Sequence, residues 1–137
     1  ELAADALDLS YRHSAYMTNG CVITELRLWL SPGDTAKIRA KMDDLMLARK
    51  EKQPLEWPSA GSVFKRPKNH FAGTLIEECG LKGLHVGGAQ VSEKHAGFIV
   101  NKGDASCSDV RQLIEKVSQE VFLQTGVRLE CEIKTVG

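Results

Sequence analysis

One stretch decides how this chain folds: Pro58-Ser59-Ala60-Gly61-Ser62-Val63-Phe64-Lys65-Arg66-Pro67. Its small residues allow a backbone or a ligand to approach closely, and its two prolines oppose helix formation at both ends. We therefore expect a tight turn that leads into a strand, with the hydroxyl of Ser62 directed at whatever the turn encloses. Lys65 and Arg66 can supply positive charge beside that hydroxyl. These features alone favour an ordinary structural loop over a binding site.

The composition argues against several classes of protein. At 137 residues, the chain has the length of one domain or slightly more. Its 18 Lys and Arg balance its 18 Asp and Glu, so no overall field attracts nucleic acid or an anionic membrane, and we expect neither as a partner. No apolar run approaches the roughly 18 residues of a membrane span, and the first residues lack the pattern of a signal peptide. We therefore expect a cytoplasmic protein.

The four cysteines lie at positions 21, 79, 107 and 131 and form no CxxC pair. Such wide spacing favours reduced thiols over a zinc site or a disulfide framework. We expect no metal.

Upstream of the deciding stretch, the pattern predicts three elements. Glu1–Leu9 has helical character, and Cys21–Leu30 alternates as a strand with one solvated face. Ser31-Pro32-Gly33 breaks that strand, and Asp34 is suited to cap a helix over residues 35–50. The apolar stripe of this helix consists of Ile38, Met42, Leu45 and Met46.

Downstream, two helices and three strands are predicted. A short helix over Ala72–Cys79 is stopped by Gly80, and a longer helix runs from Ser108 to about Gln124. Strands are predicted at residues 84–91, 96–101 and 127–134, and the turns between 84 and 101 favour an antiparallel hairpin. The fold class is therefore α+β, with helices packed on an antiparallel or mixed sheet.

Three polar residues could carry chemistry, but each has an ordinary structural explanation. Strand alternation directs Glu132 away from Cys131 and its apolar neighbours, so a solvated face is its default position. Arg12 fits an ordinary surface charge equally well. His95 precedes a buried strand, where a polar turn residue is more common than a ligand.

Two further features are compatible with an anion site. Gly87-Gly88 lacks the frame of a nucleotide-binding loop, so a bulge or a close neighbour explains it as well as a phosphate does. A local anion site and a solvated loop fit the cation cluster about equally; the cluster comprises Arg49, Lys50, Lys52, Lys65, Arg66 and Lys68.

The order of the motifs is more informative than any single one. Along the chain stand Tyr11-Arg12-His13-Ser14, Gln53-Pro54, the stretch 58–67, Ala72-Gly73 with Leu75-Ile76-Glu77, Gly80-Leu81-Lys82-Gly83, Gly87-Gly88-Ala89-Gln90-Val91-Ser92, His95-Ala96-Gly97-Phe98-Ile99-Val100-Asn101 and Gly126-Val127-Arg128-Leu129-Glu130-Cys131-Glu132. Over nearly its whole length, the chain resembles the UDP-N-acetylenolpyruvoylglucosamine reductase family. The short span between Arg12 and Ser62 resembles the compact subfamily, which lacks an inserted tyrosine loop.

The resemblance implies an oxidoreductase of peptidoglycan synthesis, and hence of cell-wall biogenesis, cell shape and cell division. FAD, reduced by NADPH, reduces UDP-N-acetylglucosamine enolpyruvate to UDP-N-acetylmuramate. Arg12, Ser62 and Glu132 occupy the family's catalytic positions. An arginine fork can stabilise charge that develops on the substrate carboxylate, and the hydroxyl of Ser62 can supply a proton.

The resemblance also implies binding residues. Substrate contacts fall on Tyr11, Lys52, Lys65, Arg66 and His95, and Gly61 and Ser62 face the flavin. Arg66 occupies a position that is asparagine in some members of the family, so its role carries over least directly.

The family's flavin-binding portion lies mainly before the Tyr11 motif. Residues 1–50 therefore correspond to the end of the FAD-binding domain, and residues 51–137 to the substrate-binding domain. We expect a monomer that depends on an N-terminal FAD-binding portion, and that binds FAD weakly and turns over little by itself. The alternative is a non-catalytic UDP-sugar-binding piece, or one part of a split enzyme.

Overall fold

A computed structural model describes residues 2–17 and 19–136 of the chain. The chain divides into two compact units, Glu1–Thr35 and Ala36–Gly137. The predicted boundary near residue 50 is a functional assignment and stays a prediction.

The first unit contains little regular structure. Two 3-10 helices span Ala4–Leu7 and Ala15–Met17, so the helix predicted over the first nine residues is reduced to a single turn. The strand predicted over Cys21–Leu30 is wrong, because this segment forms no regular element and its apolar side chains are exposed. A strand needs a neighbouring strand for its backbone hydrogen bonds, and none of the described residues pairs with this segment.

Helix α1 spans Thr35–Lys52, as predicted, and all of it after Thr35 belongs to the second unit. Ala, Leu, Met, Arg and Lys dominate its sequence and are all strong helix formers. Its basic last turn is favourable against the helix dipole. The predicted apolar stripe does not pack inward, because Ile38, Met42, Leu45 and Met46 are each about half exposed and α1 buries none of its residues.

Four short strands form one antiparallel sheet. They are β1 (Ser59–Ser62), β2 (His85–Val86), β3 (Ala89–Val91) and β4 (Phe98–Asn101), in the order β1-β4-β3-β2. The hairpin predicted between residues 84 and 101 is confirmed, with β3 paired to both β2 and β4.

Two helices, α2 (Ala72–Glu78) and α3 (Cys107–Thr125), contribute with the sheet to a single core. Side chains alternate across a strand, so Val91 and Ile99 face this core while Phe98 and Val100 face the opposite side. The largest fully buried side chains of this core are Val63, Ile76, Val91, Leu113, Val117 and Val121. The α+β class is confirmed, with one face of the sheet covered by helices.

Helix α3 begins earlier than its sequence indicated. Ser106, rather than Ser108, is the N-cap, and its hydroxyl accepts from the backbone N–H of Asp109 at 3.1 Å. The carboxylate of Asp109 accepts in return from the N–H of Ser106 at 2.9 Å. The hydrogen bond from the Ser106 N–H to the carboxylate, together with smaller contributions from the Ser106 side chain and the Gly88 backbone, lowers the pKa of Asp109 below its ordinary value. Gly126 ends the helix at φ +72°, as predicted.

The strand predicted over residues 127–134 forms only in part. A single bridge pairs Phe64 with Cys131, flanked by bonds from Lys65 N to the Glu130 carbonyl and from Glu132 N to the Val63 carbonyl, each 2.8 Å. The segment therefore extends the sheet edge beyond β1 without becoming a continuous strand.

Candidate functional site

A β-bulge in β1 orients Ser62. Ser59 lies opposite Val100 and Ser62 lies opposite Phe98, so β1 carries one more residue than β4 between the two pairs. Gly61 accommodates the bulge, because its φ of +91° is a backbone conformation that L side chains rarely adopt. Without the extra residue, Ser59 and Ser62 would face opposite sides. The bulge brings both to the face that carries Phe98 and Val100.

The hydroxyl of Ser62 is accessible on this face. Its Oγ donates to the carbonyl oxygen of Phe64 at 3.5 Å, which is a long hydrogen bond. Ser62 itself is exposed, and an added Cβ on neighbouring Gly61 would meet nothing within 4 Å. A ligand can therefore reach both the hydroxyl and the preceding backbone.

Glu132 lies on the backbone segment beside Ser62. Its N–H donates to the carbonyl of Val63, the residue that follows Ser62, at 2.8 Å, and its side chain is half-buried. Two of the three predicted catalytic residues therefore lie on adjoining segments of the sheet edge. Lys65 forms an ion pair with Glu130 across the same two segments.

Arg12 and Tyr11 belong to the first unit. Arg12 has φ +55° in a turn closed by two hydrogen bonds between Ser10 and His13. Its guanidinium contacts Tyr11, with Nε 3.3 Å from the phenol oxygen and Cζ 5.5 Å from the ring centroid. Since Ser62 and Glu132 belong to the second unit, the convergence of all three catalytic candidates stays a prediction.

The imidazole of His95 is fixed in one orientation. Its Nδ1 accepts from the backbone N–H of Gly97 at 3.1 Å, and its ring meets Phe98 edge-on, with centroids 4.9 Å apart. An added Cβ on Gly73 or Gly97 would approach Cε1 of His95 to 3.2 or 3.0 Å. Because Nδ1 is an acceptor, neutral His95 carries its proton on Nε2 and can donate it to a ligand.

Gly97 is hydrogen-bonded both to this imidazole and to the residue after Ser62. Its carbonyl accepts from the N–H of Val63 at 2.9 Å. The N–H of Gly97 thus bonds to Nδ1 of His95, and its carbonyl bonds to the residue after Ser62, so both hydrogen bonds meet at one residue.

A basic cavity of about 420 Å³ lies beside this sheet edge. It is lined by Lys65, Arg66, Pro67, Lys68, His70, Val127, Arg128 and Glu130. Lys65 and Arg66 were predicted to bind substrate, whereas Lys52 does not line the cavity and is exposed at the end of α1. Sequence reasoning did not identify His70 and Arg128, since only the pairing of Phe64 with Cys131 brings their segments together.

Gly87-Gly88 serves packing. The pair forms the turn between β2 and β3, and an added Cβ on Gly88 would lie 1.9 Å from the carbonyl oxygen of Gly103. An added Cβ on Gly87 would lie 2.5 Å from Cγ of Asp109. Atoms of the 103–105 loop and of Asp109 fill the space that a phosphate would need. The glycine pair is therefore explained by close packing against these neighbours.

The four cysteines are free thiols, and burial raises the pKa of the Cys79 thiol above its ordinary value, with Glu78 and Glu120 acting in the same direction. Among the residues that the structure describes, no three His, Cys, Asp or Glu side chains come together as a metal site. No helix within these residues has both the length and the apolar character to cross a bilayer.

Comparison with known proteins gives a consistent result. The family model for the C-terminal domain of UDP-N-acetylenolpyruvoylglucosamine reductase matches residues 53–136. The reductase of that name from Clostridium novyi (strain NT) is 53% identical over 137 residues, which is 100% of this chain and 45% of the relative. The Latilactobacillus sakei reductase is 49% identical over 136 residues, covering 99% and 45%.

A solved structure agrees with these relatives. The UDP-N-acetylenolpyruvylglucosamine reductase from Thermus caldophilus superposes with a TM-score of 0.76 at 37% identity. The superposition covers 96% of this chain and 47% of that one. The chain therefore spans about half the length of the reductases that it matches.

Proposed function

The chain belongs to the UDP-N-acetylenolpyruvoylglucosamine reductase family, and on that basis we propose that it supplies the substrate-binding and proton-donating part of such a reductase. The proposed reaction converts UDP-N-acetylglucosamine enolpyruvate to UDP-N-acetylmuramate for peptidoglycan synthesis, with NADPH as the reductant and FAD as the cofactor. One observation carries the proposal. The bulge at Gly61 exposes Ser62 on the face of the sheet away from the core, with Glu132 hydrogen-bonded to the next residue.

Gly61 and Ser62 are the residues of this chain that would contact FAD. An added Cβ on Gly61 would meet nothing within 4 Å, so a flat group can approach this backbone closely. We assign these two residues as contacts of the cofactor on this chain. When bound, the flavin supplies the hydride that adds to the methylene carbon of the enolpyruvyl double bond.

Arg12 is the proposed electrostatic stabiliser. As the double bond is reduced, negative charge spreads onto the substrate carboxylate. A guanidinium fork matches a carboxylate geometrically, and its stabilisation grows as charge develops there. Glu132 orients the guanidinium and the substrate in this scheme.

Ser62 is the proposed proton donor to the other carbon of the former double bond. A donor must lie within hydrogen-bonding reach of the atom that it protonates, and the exposure of Ser62 leaves its hydroxyl open to a bound substrate. A serine is a weak acid, so the alkoxide left behind needs positive charge nearby. Lys65 supplies it, although Glu130 shares that charge through an ion pair.

The remaining contacts bind the UDP-sugar. His95 offers a fixed Nε2–H donor, and Arg66 lines the basic cavity. Tyr11 and Lys52 are the other two UDP-sugar contacts that the resemblance to the family implies.

The test uses a chimaeric enzyme in which this chain replaces the matched 137 residues of the Clostridium novyi reductase. We expect NADPH oxidation that depends on UDP-N-acetylglucosamine enolpyruvate, and its loss on Arg12→Ala. The control is Arg39→Ala, which removes the same charge from the surface of α1 and leaves the rate unchanged. A folded chimaera that contains FAD but shows no substrate-dependent oxidation contradicts the proposal.

A second candidate function is a nucleotide-sugar-binding module without turnover of its own. The basic cavity favours it, because a cavity lined by cations can hold a nucleotide sugar without a flavin. Calorimetry with UDP-N-acetylglucosamine tests binding by the full chain. Binding together with an inactive chimaera would select the module over the reductase.

Three further expectations belong to the same proposal. A cytoplasmic location follows from the supply of UDP-sugars and NADPH in that compartment. Weak FAD binding by the 137-residue chain alone is checked by its absorbance spectrum. A monomeric state is checked by light scattering.

A further inference from the structure

Ser92 is a buried polar residue beside the segment that carries His95. It follows β3 directly and is 3% exposed, and among residues 2–17 and 19–136 it is the one buried polar or charged residue. A hydroxyl that is removed from water lowers stability unless hydrogen bonds compensate for the loss. The groups that bond to its oxygen therefore indicate why a serine stands at this position.

The hydroxyl of Ser92 closes the turn that leads to His95. Its Oγ accepts from the backbone N–H groups of Lys94 and His95, each at 3.2 Å. In such a turn the side chain takes the place of a backbone acceptor. The N–H of Ser92 also donates to the carbonyl of Phe98 at 2.9 Å, and the N–H of Phe98 donates to the carbonyl of His95 at 3.0 Å. The backbone is therefore held on both sides of His95.

The same turn holds the imidazole. Nδ1 of His95 accepts from the N–H of Gly97, two residues further along the turn. The ring also lies close to the first turn of α2, because an added Cβ on Gly73 would lie 3.2 Å from Cε1 of His95 and 3.3 Å from the nitrogen of Gly97. A shift of the His95 backbone would therefore change the bond to Gly97 or bring the ring against α2.

We propose that Ser92 is a positioning residue for His95: its hydroxyl holds the turn in the conformation that occupies Nδ1 and presents the Nε2–H to a sugar nucleotide. Ser92 is buried and acts only through the histidine. A donor that is fixed before binding loses less conformational freedom when the ligand arrives, so it contributes more affinity. The identity of the ligand rests on the proposed function, whereas the effect of Ser92 on the imidazole does not.

The first test is nitrogen NMR of His95 in the full chain. We expect the neutral ring of the parent to carry its proton on Nε2, and Ser92→Ala to populate the Nδ1–H tautomer as well, because the turn no longer enforces the bond to Gly97. Ser92→Cys has a weaker acceptor of nearly the same shape, and it replaces Ser92→Ala if that variant is unfolded.

Ser118→Ala is the matched control for the NMR measurement. The hydroxyl of Ser118 donates to the carbonyl of Ile114 at 2.8 Å, so this variant loses a serine hydrogen bond within α3 and leaves the turn intact. We expect the parental tautomer of His95 in Ser118→Ala.

The second test is calorimetry of the full chain with UDP-N-acetylglucosamine. We expect Ser92→Ala to weaken binding about threefold to tenfold, the effect of losing one well-oriented hydrogen bond. Ser92→Thr keeps the hydroxyl but adds a methyl group at a buried position, which lowers the unfolding temperature. It should nevertheless bind more tightly than Ser92→Ala, so that affinity follows the hydroxyl rather than the stability.

A double variant shows whether the effect passes through the imidazole. Ser92→Ala should weaken binding in the parent and add nothing in a His95→Ala background. Equal weakening in both backgrounds overturns the proposal, as does a parental tautomer of His95 in Ser92→Ala. If the parent binds no UDP-N-acetylglucosamine, the ligand of the proposed function is wrong, and the tautomer alone then decides the role of Ser92.

Discussion

Ser62 lies opposite Phe98 across β1 and β4, although Ser59, three residues earlier, lies opposite Val100, which is only two residues beyond Phe98. One surplus residue in β1 therefore decides which face of the sheet receives the hydroxyl. Phe98 in turn contacts His95 edge-on at 4.9 Å. The serine and the imidazole are thus organised by one cross-strand pair.

The bulge predicts how Gly61 responds to substitution. Its φ of +91° disfavours any side chain, and most strongly a β-branched one, while Asn tolerates positive φ better than other residues. We expect Gly61→Val to lower the free energy of unfolding by about 1–2 kcal/mol and Gly61→Asn to lower it less. Urea unfolding measures both. Equal stability of the two variants and the parent would mean that the bulge does not constrain this residue.

Gly88 is predicted to tolerate no side chain. An added Cβ would lie 1.9 Å from the carbonyl oxygen of Gly103 and 2.6 Å from the backbone N of Ala105, so a backbone segment would have to move. Gly88→Ala should cost about 1–3 kcal/mol through overpacking, measured by thermal unfolding. If the unfolding temperature of Gly88→Ala matched that of the parent, the contact between this turn and the 103–105 loop would be refuted.

The capping box predicts a pH dependence of stability. Hydrogen bonds from Ser106 and Gly88 lower the folded pKa of Asp109 below its ordinary value near 3.8. A depressed folded pKa adds stability that is present above the unfolded pKa and is lost as the pH falls through the folded one. The stability difference between the parent and Asp109→Asn should therefore shrink as the pH falls below about 3.8.

Asp104→Asn is the matched control for this titration. Asp104 is exposed in the loop before the helix and has φ +52°, which Asn tolerates. We expect its stability to run parallel to that of the parent over the same range. If the difference in stability between the parent and Asp109→Asn did not change with pH, the hydrogen-bonded carboxylate of Asp109 could not be the cause of that difference.

The hydrogen bond from Gly97 predicts the tautomer of His95. Nitrogen NMR should find the proton of the neutral ring on Nε2, because Nδ1 accepts from a backbone N–H at 3.1 Å. His95→Gln keeps a donor near the Nε2 position, whereas His95→Asn keeps one only near Nδ1. We therefore expect His95→Gln to retain more affinity for UDP-N-acetylglucosamine. A proton found on Nδ1 would contradict the geometry.

Local signals predicted the part of the fold that depends on local physics. The short helix predicted over Ala72–Cys79 is present as α2, and its Leu75 and Ile76 are buried. The glycine pair and the strand that follows gave the antiparallel hairpin. These features depend on backbone preferences and side-chain periodicity within about ten residues.

Features that depend on contacts between residues far apart in the sequence could not be predicted from such local patterns. Alternation over Cys21–Leu30 indicates which side chains could face a core, but not whether a second strand is present to pair with. The basic cavity likewise requires Arg66 and Arg128, which are 62 positions apart, to meet across one bridge between Phe64 and Cys131. Neither segment contains a signal for the other. The cation cluster that includes Lys65, Arg66 and Lys68 fitted a solvated loop as well as an anion site, and the resemblance to a family pointed to Lys65 and Arg66 but not to Arg128.

The decisive measurement is stopped-flow absorbance of the flavin in the chimaera that carries Ser62→Ala, with Ser108→Ala on the surface of α3 as the control. Our account predicts that NADPH reduces the flavin at the parental rate in both variants. Reoxidation by UDP-N-acetylglucosamine enolpyruvate should slow about 10²–10⁴-fold in Ser62→Ala alone, the range expected for loss of a general acid. Reoxidation of Ser62→Ala at the parental rate would contradict the assignment of Ser62 as the proton donor.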